Sequence, residues 1–280
     1  MLTAILLNGS FTIIEIVGGF LTNSVTILSD AIHDLGDTLA LTAAWYFERL
    51  SRKGRDKTHS YGYRRYTVLG AIINAIVLIT GSVFVIMEAI RRLNAPEAVH
   101  STGMILLAVL GIAINGLAFS RLRSGHSHNV DVMRLHLLED VLGWVVALLG
   151  AVAIQIWSLY VLDPILSLLV SAWILFQVVK RLRKSMGIIL QNTPGNITTQ
   201  SVDELVRSLP GIRDTHDTHL WTLDGEYHIL TLHVVTDNQQ SMSGLAQLKE
   251  DIRKKLALLR ITHATIEFEY PEEYCVHETC

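Results

Sequence analysis

Six apolar stretches, spaced evenly over the first two-thirds of the chain, leave it few folds to choose from. They cover approximately residues 2–22, 25–48, 67–92, 102–122, 132–154 and 164–184. Each has the roughly 17–25 residues that a helix needs to cross about 30 Å of hydrocarbon. In lipid a backbone must satisfy its own polar groups, and a helix does so within one segment. The pattern predicts an α-helical membrane protein with six transmembrane helices and short connections. Composition agrees, since 50% of the 280 residues are hydrophobic and only 18% are charged, too apolar for an ordinary soluble domain. The first stretch has no basic leader and no small-residue cleavage site after it, so it is expected to be a retained helix and not a signal peptide.

Charge gives the orientation. Residues 1–48 hold five acids and no Lys or Arg, whereas residues 49–65 hold seven Lys or Arg. With Arg121, Arg123, Lys180, Arg181, Arg183 and Lys184, thirteen basic residues fall on one side of the bilayer and two, Arg91 and Arg92, on the other. Basic residues mark the cytoplasmic side, so both termini are expected there. With a net charge of −3, nucleic acid is not expected as a partner. The two cysteines, Cys275 and Cys280, stand at the extreme C-terminus and suit a reducing compartment.

After Gln191-Asn192-Thr193-Pro194-Gly195-Asn196 the apolar runs give way to mixed, periodic sequence, which marks a boundary. Residues 199–209 and 243–259 have helical spacing, while 214–223, 228–236 and 262–270 alternate like strands. The order αββαβ predicts a small open-faced sandwich. The expected division is a transmembrane domain at 1–190, a linker at 191–198, a cytoplasmic domain at 199–271 and a Cys/His tail at 272–280.

Inside the second apolar stretch His33 and Asp37 are four residues apart, and inside the fifth so are His136 and Asp140. On a helix, residues i and i+4 share a face, so each pair offers an imidazole nitrogen and a carboxylate to one point. Two such helices can close a four-ligand cage of the kind Zn²⁺ accepts. Ionisable side chains at mid-membrane cost about 2.5–3.5 kcal/mol each and mark a pathway or a partner. A single pair serves equally well as structural glue between helices; two matched pairs favour metal. Asp30, Asp34 and Glu139 lie off the shared faces and are expected to hold water, protons or supporting contacts, and Glu15 lines an entry path or satisfies a neighbouring backbone.

These pairs, the motif His59-Ser60-Tyr61-Gly62-Tyr63-Arg64-Arg65 and the motif His216-Asp217-Thr218-His219-Leu220-Trp221 resemble the cation diffusion facilitator family, most closely its bacterial cobalt–zinc–cadmium resistance branch of zinc transporters. The resemblance implies a homodimer in the bacterial inner membrane that exports Zn²⁺, and also Cd²⁺ or Co²⁺, from the cytoplasm by alternating access with protons as counter-ion. It implies transport ligands His33, Asp37, His136 and Asp140, and a ferredoxin-like cytoplasmic domain whose ligands come from His219, His233, His263 and Glu269, with His216 as an alternative to His219. Imidazole in the pairs suits Zn²⁺, Co²⁺ and Cd²⁺ better than harder cations. No organic cofactor is expected; Zn²⁺ is both the transported ion and a candidate structural ion of the cytoplasmic domain.

The chain also departs from the family pattern. In the loop 49–65, Asp56 and His59 match two ligands of an additional site, but Tyr63 stands where the third would be, so that site is expected to be incomplete. Arg65 can take the basic half of a lock between the domains, yet residues 185–202 contain no Asp or Glu, leaving Gln191 or Asn192 to make the lock differently. Cys275, His277 and Cys280 form a soft-ligand tail that is either a zinc site or a plain extension, and Gly125-His126-Ser127-His128 is a shortened His-rich loop. Two other classes remain, a membrane-embedded zinc enzyme and a metal sensor. A catalytic zinc keeps three protein ligands and an open position, whereas the pairs supply four, and no His-Glu-x-x-His, Gly-x-Ser-x-Gly or phosphate-cradling glycine loop occurs. An enzyme is therefore not expected.

Overall fold

The computed structural model describes residues 2–51, 53–121, 128–236, 241–271 and 275. Six long helices come first: α1 (Leu2–Thr22), α2 (Val25–Ser51), α3 (Tyr66–Asn94), α4 (Ser101–Arg121), α5 (His128–Trp157) and α6 (Leu162–Ile189). Among the described residues five of them are long and apolar enough to cross a membrane. The exception is α2, whose Asp30, Asp34 and Asp37 fall within eight consecutive positions and lower its hydropathy. Then come α7 (Thr199–Arg207), β1 (Ile212–Thr222), β2 (His228–Thr236), α8 (Met242–Leu258) and β3 (Ile261–Glu269).

The chain divides into two compact units. The first comprises residues 1–46 and 70–182 and the second residues 47–69 and 183–280. In the first, small residues let helices approach. A methyl group on Gly111 of α4 would come within 2.4 Å of the Trp144 ring of α5, and one on Gly36 of α2 within 2.3 Å of the Leu78 side chain of α3. Trp144, almost fully buried, meets Phe11 of α1 edge-on at 6.0 Å between centroids. Large apolar side chains such as Phe20, Phe84, Leu106, Leu149, Trp173 and Phe176 point outward, as a lipid-facing surface requires and a soluble one rarely tolerates.

Buried polar contacts fix α2. Its first turn is capped by Asp163, a fully buried residue of α6, whose carboxylate accepts hydrogen bonds from Ser24 Oγ at 2.6 Å, Val25 N at 2.8 Å and Thr26 N at 3.2 Å. Farther along, Ser29 and Ser171 hydroxyls meet at 2.8 Å and Ser167 donates to the Val25 carbonyl. Backbone N–H groups at a helix start need such acceptors, the more so away from water. From α1, Asn8 donates to the Asp34 carbonyl and to Thr38 Oγ1. The turn between α1 and α2 takes its left-handed residue at Asn23 (φ 54°), held by Arg92, which donates to both the Asn23 carbonyl and side chain.

In the second unit the sheet order is β1-β2-β3, with β1 antiparallel and β3 parallel to β2. α7 and α8 cover one face, where Val202, Val206, Leu220, Leu230, Leu232, Val234, Ile252 and Leu256 form the core. Thr198 caps α7 through a reciprocal pair of bonds with Ser201, and Ser241 caps α8. The other face carries the alternate residues of β2 and β3. In β1 the pairs His216↔His233 and His219↔Thr231 span three residues on one strand and two on the other, a bulge with Asp217 at φ 47°. The extra residue turns His216 and His219 to the same face, where strict alternation would put them on opposite ones.

Residues 47–69 pack within this unit. Arg64 Nη1 lies 3.1 Å from Asp224 Oδ2 and its guanidinium 4.8 Å from the Tyr227 ring centre, and the Tyr61 ring meets His263 edge-on at 5.6 Å. Gln191 (φ 58°) and Asn192 end α6, with Asn192 N donating to the Gly187 carbonyl. Arg65 has a buried Nε without a hydrogen-bond partner, whereas its neighbour Arg64 pairs with Asp224 and, elsewhere in the unit, Arg207 with Asp214.

Candidate metal centres

Helical spacing brings His33 and Asp37 of α2 together as the sequence predicts, with Nε2 to Oδ2 at 3.7 Å. Asp140 of α5 reaches the same imidazole nitrogen, with Oδ1 at 3.9 Å. In a tetrahedron with bonds of about 2.0–2.1 Å, ligand atoms stand roughly 3.4 Å apart, so each carboxylate lies a little beyond the edge at which it would share an ion with this nitrogen. His136 lies one turn before Asp140 on α5; its side chain is outside the described residues. The three described ligands are partly accessible, and His33 and Asp140 line a cavity of about 250 Å³ that also borders Asp30, Glu139, Gln177 and Arg181. Of the expected supporting acids, Asp30 and Glu139 thus face this cavity. Asp34 is buried, and Glu15 is completely buried with neither carboxylate oxygen hydrogen-bonded.

The loop pair is engaged by its own segment. Asp56 Oδ1 accepts from Thr58 N, Thr58 Oγ1 and His59 N, while Oδ2 accepts from the Tyr63 hydroxyl at 2.5 Å. The Tyr63 bond, first, and those from Thr58 and His59 hold this exposed carboxyl well below the usual carboxylate range. His59 stacks on Tyr63 at 4.1 Å. Tyr63 supplies a hydrogen bond at the position where an added ligand was missing.

A second cluster stands on the open face of the sheet. His233 Nδ1 lies 2.6 Å from Glu269 Oε1, His216 Nε2 lies 3.2 Å from Glu269 Oε2, and Cys275 Sγ lies 3.5 Å from His233 Nδ1. Four such ligand atoms, from His216, His233, Glu269 and Cys275, fall within 4.8 Å of one another. Of the residues named from the resemblance, His233 and Glu269 come together and His216 takes its alternative place. His219 stands apart, half exposed, with Nε2 2.8 Å from Asp217 Oδ1, and His263 packs on Tyr61. Cys275 was expected in a tail site with His277 and Cys280, which lie outside the described residues, as do residues 122–127 and the side chain of His128. Sequence spacing could not bring Cys275 to His233, because nothing local records where the chain turns back after β3. The donor set of two imidazoles, a carboxylate and a thiol fits a tetrahedral Zn²⁺.

Known proteins share this arrangement of sequence. The model of the cation efflux transmembrane domain matches residues 1–190, and that of the cation efflux protein cytoplasmic domain matches residues 194–270. The metal cation efflux system protein CzcD of Cupriavidus metallidurans is 34% identical over 95% of this chain and 84% of its own length. A cadmium, cobalt and zinc/H⁺–K⁺ antiporter of Bacillus subtilis is 33% identical over 96% and 88%. The zinc transporter ZitB of Escherichia coli is 35% identical over 96% and 87%.

Proposed function

The chain belongs to the cation efflux family, and from that premise we propose that it expels divalent transition-metal ions from the cytoplasm, Zn²⁺ foremost and Cd²⁺ and Co²⁺ with it, in exchange for protons. The family is one of transporters, not enzymes. The observation that carries the proposal is that carboxylates from two helices, Asp37 of α2 and Asp140 of α5, both approach the His33 imidazole nitrogen, at 3.7 and 3.9 Å, beside a cavity. His136, four residues before Asp140, completes the ligand set. Six helices cross the inner membrane of a bacterium in this reading, α2 among them, with both termini in the cytoplasm and the αββαβ unit as a ferredoxin-like domain that pairs two protomers into a homodimer.

The chemistry follows from the ligands. Imidazole must be neutral and carboxylate ionised to bind a dication, so metal and protons compete for the same atoms. Access from the cytoplasm loads the ion and releases protons; access from the other side lets acid displace it. Asp30 and Glu139 on the cavity wall draw cations toward the ligands. His216, His233 and Glu269 hold a second ion in the cytoplasmic unit, which stays with the protein.

Reconstituted protein should move Zn²⁺ against an imposed pH gradient. His33→Ala and Asp140→Ala should each abolish that flux while leaving the oligomer intact by size-exclusion chromatography. Flux indifferent to the gradient would remove proton exchange, and full flux in both variants would remove the site.

A further inference from the structure

We propose that Cys275 is the sulfur ligand of the cytoplasmic ion, and that a soft or borderline dication there holds Cys275 against the open face of the sheet. This rests on the reading that the His216, His233 and Glu269 cluster binds metal, and adds to it the ligand that closes the site and selects its occupant.

The geometry supports each part. β3 ends at Glu269, which pairs with Val235, whereas Cys275 has come back to His233, two residues away along β2. The separation of 3.5 Å between Cys275 Sγ and His233 Nδ1 is already about the edge between sulfur and nitrogen in a zinc tetrahedron with bonds of roughly 2.3 and 2.0 Å. On its other side the His233 ring is addressed by carboxylates, with Nε2 3.5 Å from both Asp217 Oδ2 and Glu267 Oε2. Once an ion has taken Nδ1, these carboxylates are placed to accept the hydrogen bond from Nε2, the usual division of labour for a ligating imidazole. His216 Nε2 is buried without a hydrogen bond and faces Glu269. An ion replaces the Nδ1 contact of His233 with Glu269 and gives His216 Nε2 its missing partner.

Four protein donors leave no open position, so the ion is retained and does not turn over. The sulfur selects among ions. Thiolate with imidazole favours Zn²⁺ and Cd²⁺ over Mg²⁺ or Mn²⁺, which prefer oxygen. On binding, the Cys275 S–H bond is replaced by a bond from sulfur to metal, and one proton per ion passes to solvent.

The test uses the full-length chain carrying Asp37→Asn and Asp140→Asn, which disables the membrane site, loaded with Cd²⁺ and desalted. The expected result is about one Cd²⁺ retained per chain, an ultraviolet charge-transfer band of the bond from cadmium to thiolate, and Cys275 shielded from iodoacetamide while Cys280 reacts. Adding Cys275→Ser should remove the band and weaken retention at least about tenfold. Cd²⁺ retained with no thiolate band, or with a band that survives Cys275→Ser, overturns the role of this sulfur and leaves the His/Glu site standing. No Cd²⁺ retained, or undiminished retention in His233→Ala, overturns the cytoplasmic site itself and the role of Cys275 with it.

Discussion

Replacing Asp163 with alanine tests how the ligand-bearing helix is held. The change removes one fully buried carboxylate that accepts from the Ser24 hydroxyl and from the N–H groups of Val25 and Thr26. Each buried donor left without a partner costs about 1–3 kcal/mol, and losing a helix cap costs about 0.5–2 kcal/mol. These overlap, since the two N–H groups are the cap, so the loss is about 3 kcal/mol. For a chain of this size about 1 kcal/mol corresponds to roughly 2–4 °C, placing the melting temperature about 6–12 °C below wild type. Thermal unfolding of detergent-solubilised protein, followed by tryptophan fluorescence, reads this directly. Asp163→Asn keeps one acceptor oxygen and should lose about half as much. The effect should also reach transport, because His33 stands eight residues after Val25, about 12 Å along the helix. An Asp163→Ala protein that melts within about 2 °C of wild type would show that the carboxylate is not what holds the start of α2.

Three further perturbations probe other contacts. Gly36→Val should destabilise the membrane unit by about 1–3 kcal/mol, because even a Cβ there meets Leu78 at 2.3 Å; pairing it with Leu78→Ala should recover part of the melting temperature. Arg64→Ala and Asp224→Ala, in a double-mutant cycle on thermal stability, should give a coupling of only about 0.5 kcal/mol, since the arginine is 44% exposed, and Tyr227→Leu should lower the stability of the unit further through its ring. Burial pushes the His228 imidazole down from its ordinary value, so the unfolded chain takes up this proton first. The stability it allows is whole above about pH 6.5 and falls as pH drops toward the depressed native value; His228→Leu should flatten that fall in denaturant midpoints measured from about pH 7.5 to about pH 5.5.

Much of this architecture was legible because it is written in local periodicity. The six long helices lie where the apolar stretches do, and the αββαβ order follows from alternating patterns around Asp224-Gly225 and Pro210-Gly211. His33 and Asp37 converge because i, i+4 spacing needs no tertiary information, and Asp140 joins them from α5. What was not legible depends on distant partners. The acid at position 163 reads as the start of its own helix, but its carboxylate serves α2, more than a hundred residues earlier. Arg64 and Asp224 are 160 residues apart, and no spacing rule links them. The expectation that Tyr63 leaves a gap beside Asp56 and His59 rested on metal ligands alone; a phenol fills the place with a hydrogen bond instead.

The surplus residue in β1 makes chain length there a matter of parity. Everything from Thr215 back to the preceding irregularity faces as it does because one position is unmatched. Deleting Asp217 would leave His216 and His219 two positions apart, as His233 and Thr231 are, so in restored pleating both would keep the same face and only the kink would go. Loss of Asp217 should therefore leave both histidines facing as they do, and a relative lacking this position would still present His216 and His219 together.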